Sequence, residues 1–259
     1  MEAKTHRGPP RRGQHSKRSE SREVQISKAL SKLLRHQAAN AGVPLDQEGY
    51  APLDRVEERD QLQWGPLKSL SPSLEEIKSV VTDNAKQRFT LKCIREQEPS
   101  DPSGYLVRAN QGHSLQVDES ALFTPLSRGE MAGTTVVHGT YFAFWDAIVT
   151  SGGLKPMSRG HIHCAPGENA VSGMRGDAEL LVEIDVEKSI AEGGLAWWRS
   201  SNGVILTDGG PEGVLSTSFF KKVSGRSAGV GILWEDGEKK ADLPPGLKMV
   251  VPSGKRTRR

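Results

Sequence analysis

The stretch from Val136 to Gly176 constrains the fold of this chain more than any other. Two valines lead into His138-Gly139-Thr140, which indicates a buried strand that ends at a tight turn. Apolar residues then recur at helical spacing up to Gly152-Gly153, and this predicts a helix over residues 141–151 that the glycines terminate. The stretch therefore predicts a strand end that opens onto a cleft.

The second half of this stretch combines basic residues with glycine. Arg159, His161 and His163 come first, and Ser172-Gly173-Met174-Arg175 follows after a loop. Glycine lets backbone N–H groups approach a pyrophosphate closely, and the planar arginine side chain matches phosphate oxygens. Together with His138, these residues predict a binding site for an anionic ligand.

An amphipathic helix is predicted over residues 23–40. Its apolar residues at i, i+3, i+4, i+7 and i+8 form one stripe, and Gly42 is a suitable C-terminal stop. Arg35 and His36 lie near the end of this helix, beside the stripe. Taken alone, two basic residues in a last turn complement the helix dipole. The motifs described below favour a functional role for them instead.

The remaining elements of the first half predict a winged-helix pattern. A short helix is expected within residues 52–62, and Ser73 with Glu76 forms a capping box that starts another. Residues 88–94 alternate as a strand, and residues 104–108 are expected to pair with them in a hairpin. Helices followed by a hairpin are typical of modules that bind nucleic acid or other proteins.

The second half is predicted to hold a small mixed or antiparallel sheet, which makes the chain an α+β protein. Residues 125–133 are expected to form the connector to this half. Its strands are predicted at residues 136–138, 179–186, 203–207 and 219–223. No GxGxxG opens a helix and no GxxxxGK[ST] is present, so neither a Rossmann dinucleotide site nor a P-loop is supported.

Both ends of the chain are basic. The first 22 residues and the last 12 each carry a net charge of +5, whereas the whole chain is +3, so residues 23–247 are about −7. We therefore expect a disordered basic tail over residues 1–22 and a mostly flexible one over residues 226–259. Such tails either add nonspecific attraction to phosphate or only keep the protein soluble.

The cysteine content indicates a reducing compartment. Cys93 and Cys164 are the only cysteines and form no framework, and no apolar run is long enough to cross a membrane. We expect an intracellular protein, in the cytoplasm, the nucleus or both, that acts as a monomer without a membrane partner.

A zinc site is one alternative for the histidines. His161 and His163 share a face if the strand is extended, and His138 or Cys164 would supply a third ligand. The sequence has no HExxH, no CxxC and no carboxylate partner, and Arg159 would repel a cation. We therefore expect no metal.

A series of short motifs, taken in order, resembles the tRNA 2′-phosphotransferase family over residues 24–223. The motifs are Arg35-His36, Lys86-Gln87-Arg88-Phe89, the segments 108–114 (RANQGHS), 138–140 (HGT), 159–163 (RGHIH), 172–175 (SGMR) and 201–207 (SNGVILT). The resemblance implies a winged-helix-like lobe for the RNA phosphate at residues 23–124. It also implies an ADP-ribosyltransferase-like lobe for NAD⁺ at residues 134–225.

In that family the substrate is a tRNA that carries an internal 2′-phosphate after splicing ligation, and NAD⁺ is consumed. The resemblance implies two steps. The 2′-phosphate displaces nicotinamide and gives an RNA–2′-phospho–ADP-ribose intermediate. The ribose 2″-hydroxyl then attacks the phosphorus, which yields RNA with a free 2′-OH and ADP-ribose 1″,2″-cyclic phosphate.

The resemblance also assigns roles to individual residues. Catalysis falls to Arg35, His36, Lys86, Arg88 and Arg159. RNA binding falls to Arg35, Arg88, Arg108, Gln111 and His113. NAD⁺ binding falls to His138, Gly139, Thr140, His161, His163, Ser172, Gly173, Arg175 and Asn202.

One departure from the ADP-ribosyltransferase pattern bears on the acceptor. Most of these enzymes place a glutamate late in the fold, whereas residues 200–203 here read SSNG. This counts against protein ADP-ribosylation and suits an acceptor that is already an anion. Two alternatives stay open: an NAD-dependent ADP-ribosyltransferase that acts on nucleic-acid phosphate ends, and a non-catalytic RNA- or ADP-ribose-binding module.

Overall fold

A computed structural model describes residues 20–57, 65–115, 117, 122–226 and 229–252. Helices and antiparallel sheets are combined in it, and every strand pair of its sheets is antiparallel. The prediction of an α+β fold is therefore confirmed. We call residues 20–57 and 65–115 the N-terminal body, and residues 122–226 and 229–252 the C-terminal body.

The first helix, α1 (Arg22–Lys32), begins as its sequence predicts. Ser21 caps it by accepting a hydrogen bond from the Val24 amide, and its apolar stripe is buried. The helix then widens into one π-helical turn, Leu33–Gln37, which carries Arg35 and His36. A short 3₁₀ turn, Ala39–Ala41, follows and ends at Gly42, whose φ of 70° is one that glycine adopts readily. Isolated π-turns occur frequently at functional sites.

The rest of the N-terminal body consists of three α-helices, a 3₁₀ turn at Pro102–Gly104 and a small sheet. The helices are α2 (Leu53–Glu57), α3 (Gly65–Leu70) and α4 (Leu74–Thr82). The strands, in the order β1-β3-β2, are β1 (Ala51–Pro52), β2 (Phe89–Cys93) and β3 (Tyr105–Ala109). The predicted capping box of Ser73 and Glu76 and the predicted hairpin are both present. The helix expected over 52–62 reaches residue 57, and 58–64 lie outside the described residues.

The C-terminal body contains two larger sheets. The first, in the order β14-β13-β12-β8-β5, comprises β5 (Val136–Thr140), β8 (Leu180–Ile184), β12 (Phe220–Gly225), β13 (Ile232–Glu235) and β14 (Glu238–Lys239). The second, in the order β4-β9-β10-β7, comprises β4 (Phe123–Leu126), β7 (Ile162–Cys164), β9 (Trp197–Ser200) and β10 (Ile205–Thr207).

Three helices and a two-stranded ribbon complete the C-terminal body. These are α5 (Arg128–Met131), α6 (Phe142–Thr150), α7 (Val186–Ala191), β6 (Gly153–Leu154) and β11 (Leu215–Ser216). Val137 of β5 and Ala165, just after β7, exchange two backbone hydrogen bonds of 3.0 and 2.8 Å. These bonds hold the two larger sheets together where the candidate site forms. Among the described residues, no helix is both long and apolar enough to cross a bilayer.

Two sequence predictions need correction. Residues 125–133, expected to be a connector, contribute the end of β4 and helix α5, which a capping box of Ser127 and Glu130 starts. Pro125 is tolerated because β4 is an edge strand. Residues 226–259, expected to be mostly flexible, contribute β13 and β14, and Trp234 packs into the apolar core beside Phe220. The short apolar stretch that holds Val230, Leu233 and Trp234, all buried in this core, was not predicted as a strand.

Candidate active site

The buried side chain of Arg35 marks the centre of the site. The residue is 9% exposed, and its Nε and Nη2 atoms have no hydrogen-bond partner. Burial lowers the pKa of Arg35 to about 10, and repulsion by Arg159 and Arg88 adds to this effect. A buried guanidinium without an acceptor is costly to a folded protein, so its presence points to a ligand that supplies oxygen atoms.

His36 is held next to Arg35 by one serine. Its Nδ1 atom lies 2.9 Å from the Ser114 hydroxyl, and the Ser114 amide donates to the Arg35 carbonyl at 3.0 Å. Partial burial is the main cause that lowers the pKa of His36, and repulsion from Arg35 and Arg159 lowers it further. The ring is therefore fixed through one nitrogen, and its other nitrogen is the one available to a ligand.

Lys86 and Arg88 enter the site from the segment before β2. The Asn84 side-chain oxygen accepts hydrogen bonds of 3.0 Å from both the Arg88 guanidinium and the Lys86 amide. The Lys86 ammonium donates to the Met174 carbonyl in the C-terminal body at 3.3 Å. Burial lowers the pKa of both side chains, and in Lys86 repulsion by Arg88 comes second.

Arg159 belongs to the loop that precedes β7. The residue is largely exposed, but neighbouring protein atoms partly desolvate its guanidinium, and this lowers its pKa together with repulsion from Arg175. Because Arg159 also perturbs Arg35, His36 and His163, it faces the same centre. Within the described part of the chain, none of Arg35, Arg88 and Arg159 forms an ion pair with a carboxylate. The structure therefore gathers an uncompensated cation cluster.

His163 lies beside this cluster as a neutral acceptor. Its Nδ1–H donates to the His161 carbonyl at 2.9 Å, and its buried Nε2 has no partner. Burial, followed by repulsion from Arg159, places the pKa of His163 well below its usual range. Gly112 brings the two bodies close, because a Cβ there would lie 3.5 Å from His163 Nε2 and 3.7 Å from Arg35 Nε.

His138 and His161 are occupied by other contacts. The His138 Nδ1–H donates to the His163 carbonyl at 2.9 Å, so it helps to orient β7. His161 is buried with its ring centroid 5.3 Å from each of the Phe123 and Trp198 rings. Across the residues that the structure describes, no three His, Cys, Asp or Glu side chains are grouped as metal ligands would be.

The glycines of the two predicted pyrophosphate motifs have a packing function. A Cβ on Gly139 would lie 2.3 Å from Met174 Cγ and 2.8 Å from Ala178 Cβ. A Cβ on Gly173, whose φ is 91°, would lie 2.4 Å from the Cys164 carbonyl oxygen. Thr140, at the end of β5, is buried and accepts the Glu179 amide through its carbonyl. These residues bring the 172–175 loop onto β5 and β7.

Ser172 and Asn202, predicted to bind the cofactor, contact the other body. Both side chains donate to the Lys86 carbonyl, Ser172 Oγ at 3.1 Å and Asn202 Nδ2 at 2.8 Å. Arg175, which was also predicted to bind NAD⁺, is exposed to solvent beside the site, so its guanidinium is accessible to a ligand. Its guanidinium reaches the Tyr141 hydroxyl at 3.4 Å and repels Lys86.

The residues predicted to bind RNA fall into two groups. His113 is buried with both ring nitrogens unpartnered, and burial followed by repulsion from Arg35 lowers its pKa to about 4. It shares a small cleft with His161 and His163, so one RNA-assigned and two cofactor-assigned histidines meet there. Arg108 instead lies over the Tyr50 ring at 4.7 Å and donates to the Glu48 carbonyl at 3.4 Å, while Gln111 keeps a buried, unpartnered Oε1.

Three site residues had not been predicted. Asn84, Ser114 and Tyr141 each orient a predicted cation, namely Arg88, His36 and Arg175. Ser114 is the last residue of the 108–114 motif and Tyr141 directly follows the 138–140 motif, which is a signal that could have found them. Asn84 has no such signal, because an isolated asparagine after a helix is ordinary turn chemistry.

Comparison with known proteins gives a consistent result. The model of the family described as RNA 2'-phosphotransferase, Tpt1 / KptA family, matches residues 21–209. The tRNA 2'-phosphotransferase 1 of Mus musculus is 39% identical over 247 residues, which cover 93% of this chain and 93% of the relative. That of Homo sapiens is 41% identical over 210 residues, covering 79% and 77%. The tRNA 2'-phosphotransferase of Saccharomyces cerevisiae is 32% identical over 198 residues, covering 74% and 81%.

Proposed function

Because the chain belongs to the RNA 2'-phosphotransferase, Tpt1 / KptA family, we propose that it removes an internal 2′-phosphate from spliced tRNA. The phosphate is transferred to NAD⁺, which leaves nicotinamide, ADP-ribose 1″,2″-cyclic phosphate and RNA with a free 2′-OH. The observation that carries this proposal is the uncompensated cation cluster around the buried Arg35.

A phosphate monoester matches this cluster in charge and in geometry. It is a dianion near neutral pH, with three terminal oxygens that accept hydrogen bonds. Arg35 offers two unpartnered N–H groups, and Arg88 and His36 approach from the same body. Charge-assisted hydrogen bonds of this type are about twice as strong as neutral ones.

In the first step, a phosphate oxygen attacks the C1″ carbon of the nicotinamide ribose, and the C–N bond breaks with the electron pair leaving on nicotinamide. The nucleophile is already anionic, so no base is needed. In the second step, the ribose 2″-hydroxyl attacks phosphorus and releases its proton. The bond between phosphorus and the RNA 2′-oxygen breaks, and that oxygen takes up a proton to become the free 2′-OH. We assign the extra charge stabilisation of this step to Lys86 and Arg159, which come from opposite bodies and are both repelled by Arg175.

The finer architecture and the cofactor site are part of the same proposal. We infer a winged-helix class for the N-terminal body and an ADP-ribosyltransferase-like class for the C-terminal body. NAD⁺ binds on the C-terminal body, where Arg175 offers a cation for its pyrophosphate and His163 offers an acceptor. The enzyme acts as an intracellular monomer, in the cytoplasm, the nucleus or both.

The decisive experiment uses two short RNAs, one with an internal 2′-phosphate and one with a 5′-phosphate end. With NAD⁺ and EDTA, the first RNA should lose its phosphate and the second should not change. Modification of the 5′-end alone would instead identify an ADP-ribosyltransferase acting on nucleic-acid ends. Loss of activity in EDTA with rescue by Zn²⁺ would restore the histidine–zinc interpretation.

The assignment of the second step is tested by Lys86→Ala and Arg159→Ala. Either change should slow the second step more than the first, so an RNA that carries label from adenine-labelled NAD⁺ accumulates. Lys68→Ala and Arg128→Ala, which remove exposed cations elsewhere, serve as matched controls. Smooth conversion without any labelled RNA would show that Lys86 and Arg159 do not act mainly in the second step.

A further inference from the structure

The carbonyl oxygen of Lys86 accepts two hydrogen bonds from the C-terminal body. Ser172 Oγ donates to it at 3.1 Å and Asn202 Nδ2 donates at 2.8 Å. The two donors come from different loops, one between β7 and β8 and the other in the turn between β9 and β10. Two independent loops therefore converge on one backbone atom of the N-terminal body.

The segment around Lys86 has a conformation that its sequence alone does not favour. Gln87 has a φ of 41°, in the left-handed region that residues with a Cβ seldom occupy. Its amide closes a tight turn to the Asn84 carbonyl at 2.7 Å, and its own carbonyl accepts from Asn110 Nδ2 at 2.8 Å. Such a conformation persists only where the surroundings hold it.

The same segment returns a contact to the C-terminal body. The Lys86 ammonium donates to the Met174 carbonyl at 3.3 Å, two residues beyond Ser172. Lys86 is thus tied to the 172–174 loop through both its backbone and its side chain. Arg88 follows immediately, and its guanidinium is fixed to Asn84 within the same turn.

We propose that Ser172 and Asn202 are positioning residues that set Lys86 and Arg88 against Arg159 across the two bodies. This rests on the proposed function, in which these three cations act on one phosphate. Each body supplies only part of the cation cluster, so the relative placement of the bodies decides whether the cluster fits a phosphate. A displacement of about 1 Å in such a site lowers the rate roughly 100-fold. The interaction replaces the direct cofactor contact predicted for both side chains.

The test measures both chemical steps in Ser172→Ala, Asn202→Ala and the double variant. Each single change should slow the second step roughly 10-fold, and the double change more, with accumulation of the labelled RNA. The KM for NAD⁺ should change less than about 2-fold. Ser172→Thr keeps a hydroxyl donor and should restore the rate. Asn169→Ala, on the same loop but exposed, and the exposed Ser69→Ala are the controls.

Coupling to Lys86 separates positioning from general structure. When Ser172→Ala and Asn202→Ala are added to Lys86→Ala, the rate of the second step should fall by clearly less than the product of the separate fold-decreases. The reason is that Ser172 and Asn202 act through Lys86. Full multiplicativity would overturn the proposal. So would a roughly 10-fold rise in the KM for NAD⁺ with an unchanged rate at saturation, which would identify direct cofactor contacts.

A second measurement does not depend on catalysis. In the double variant, hydrogen exchange at the Lys86 and Gln87 amides, which both donate to Asn84, should accelerate, whereas exchange in β8 should stay as it is in the unmodified protein. Unchanged exchange at residues 86 and 87 would show that the Ser172 and Asn202 hydrogen bonds do not hold this turn. If the unmodified protein failed to convert a 2′-phosphorylated RNA, the proposed function would fall, and this exchange result would still decide on the contact.

Discussion

Replacing Arg35 by methionine should stabilise the folded protein while it abolishes activity. The folded-state pKa of about 10 lies below the ordinary arginine value, so folding disfavours the charged form. Arginine is charged in both states at neutral pH, so the whole penalty applies at every pH below about 10. At about 1.4 kcal/mol per pKa unit, the penalty amounts to roughly 3 kcal/mol.

Methionine keeps the unbranched apolar stem of Arg35 and removes both the unpartnered N–H groups and the repulsion from Arg88 and Arg159. Some packing is lost because the side chain is shorter. We therefore expect the free energy of unfolding to rise by about 1 to 3 kcal/mol, as when other buried charges are replaced by apolar groups. Turnover should fall at least about 100-fold, since a charge-stabilising donor is lost.

Urea unfolding at pH 7 measures the first effect, with Arg128→Met as the control for an exposed arginine. Inorganic phosphate should raise the melting temperature of the unmodified protein and leave that of Arg35→Met nearly unchanged, because a ligand stabilises only the state that binds it. A loss of about 2 kcal/mol in Arg35→Met, with no change in Arg128→Met, would show that Arg35 supports the fold and would refute the reasoning.

Three further predictions concern stability. Gly139→Ala should lower the free energy of unfolding in urea by about 1 to 3 kcal/mol, because the new Cβ would clash with Met174 and Ala178. Gly129→Ala, where a Cβ has open space, should leave it unchanged. Equal effects of the two changes would contradict this prediction. Trp234→Ala should cost about 3 kcal/mol, because the ring packs in the core and donates to the Thr217 carbonyl, and a neutral result would mean that β13 is dispensable. Because His113 is buried and neutral, only the unfolded state takes up its proton between pH 6.5 and 4, so the free energy of unfolding should fall by up to about 3 kcal/mol over this range. In His113→Asn the free energy of unfolding should depend less steeply on pH. An unchanged pH dependence would contradict the buried, neutral state.

Local patterns in the sequence were sufficient for several of the elements. Apolar residues at helical spacing predicted the first helix, and the capping box of Ser73 and Glu76 predicted the start of α4 to the residue. Alternation predicted the two strands of the β2–β3 hairpin and their pairing. These features depend on neighbours within a few positions, so the sequence determines them directly.

The sequence also determined which chemical groups are present, and the tertiary structure decided how they are arranged. Arg35, Arg88 and Arg159 were identified as candidates from their motifs, but only folding makes the first a buried cation without an acceptor. The π-turn at Leu33–Gln37 and the positive φ of Gln87 have no local signal.

The contacts between distant residues, including those between the two bodies, were likewise decided by tertiary structure. Ser172 and Asn202 were predicted from their motifs to bind a cofactor, yet their donors meet the Lys86 carbonyl, 86 and 116 positions away along the chain. Trp234 joins the core through the pairing of β13 with β12, which the apolar stretch at residues 230–234 does not specify by itself. A hydrogen bond or packing contact between distant residues depends on the path of the whole chain, so it cannot be deduced from the spacing of neighbours.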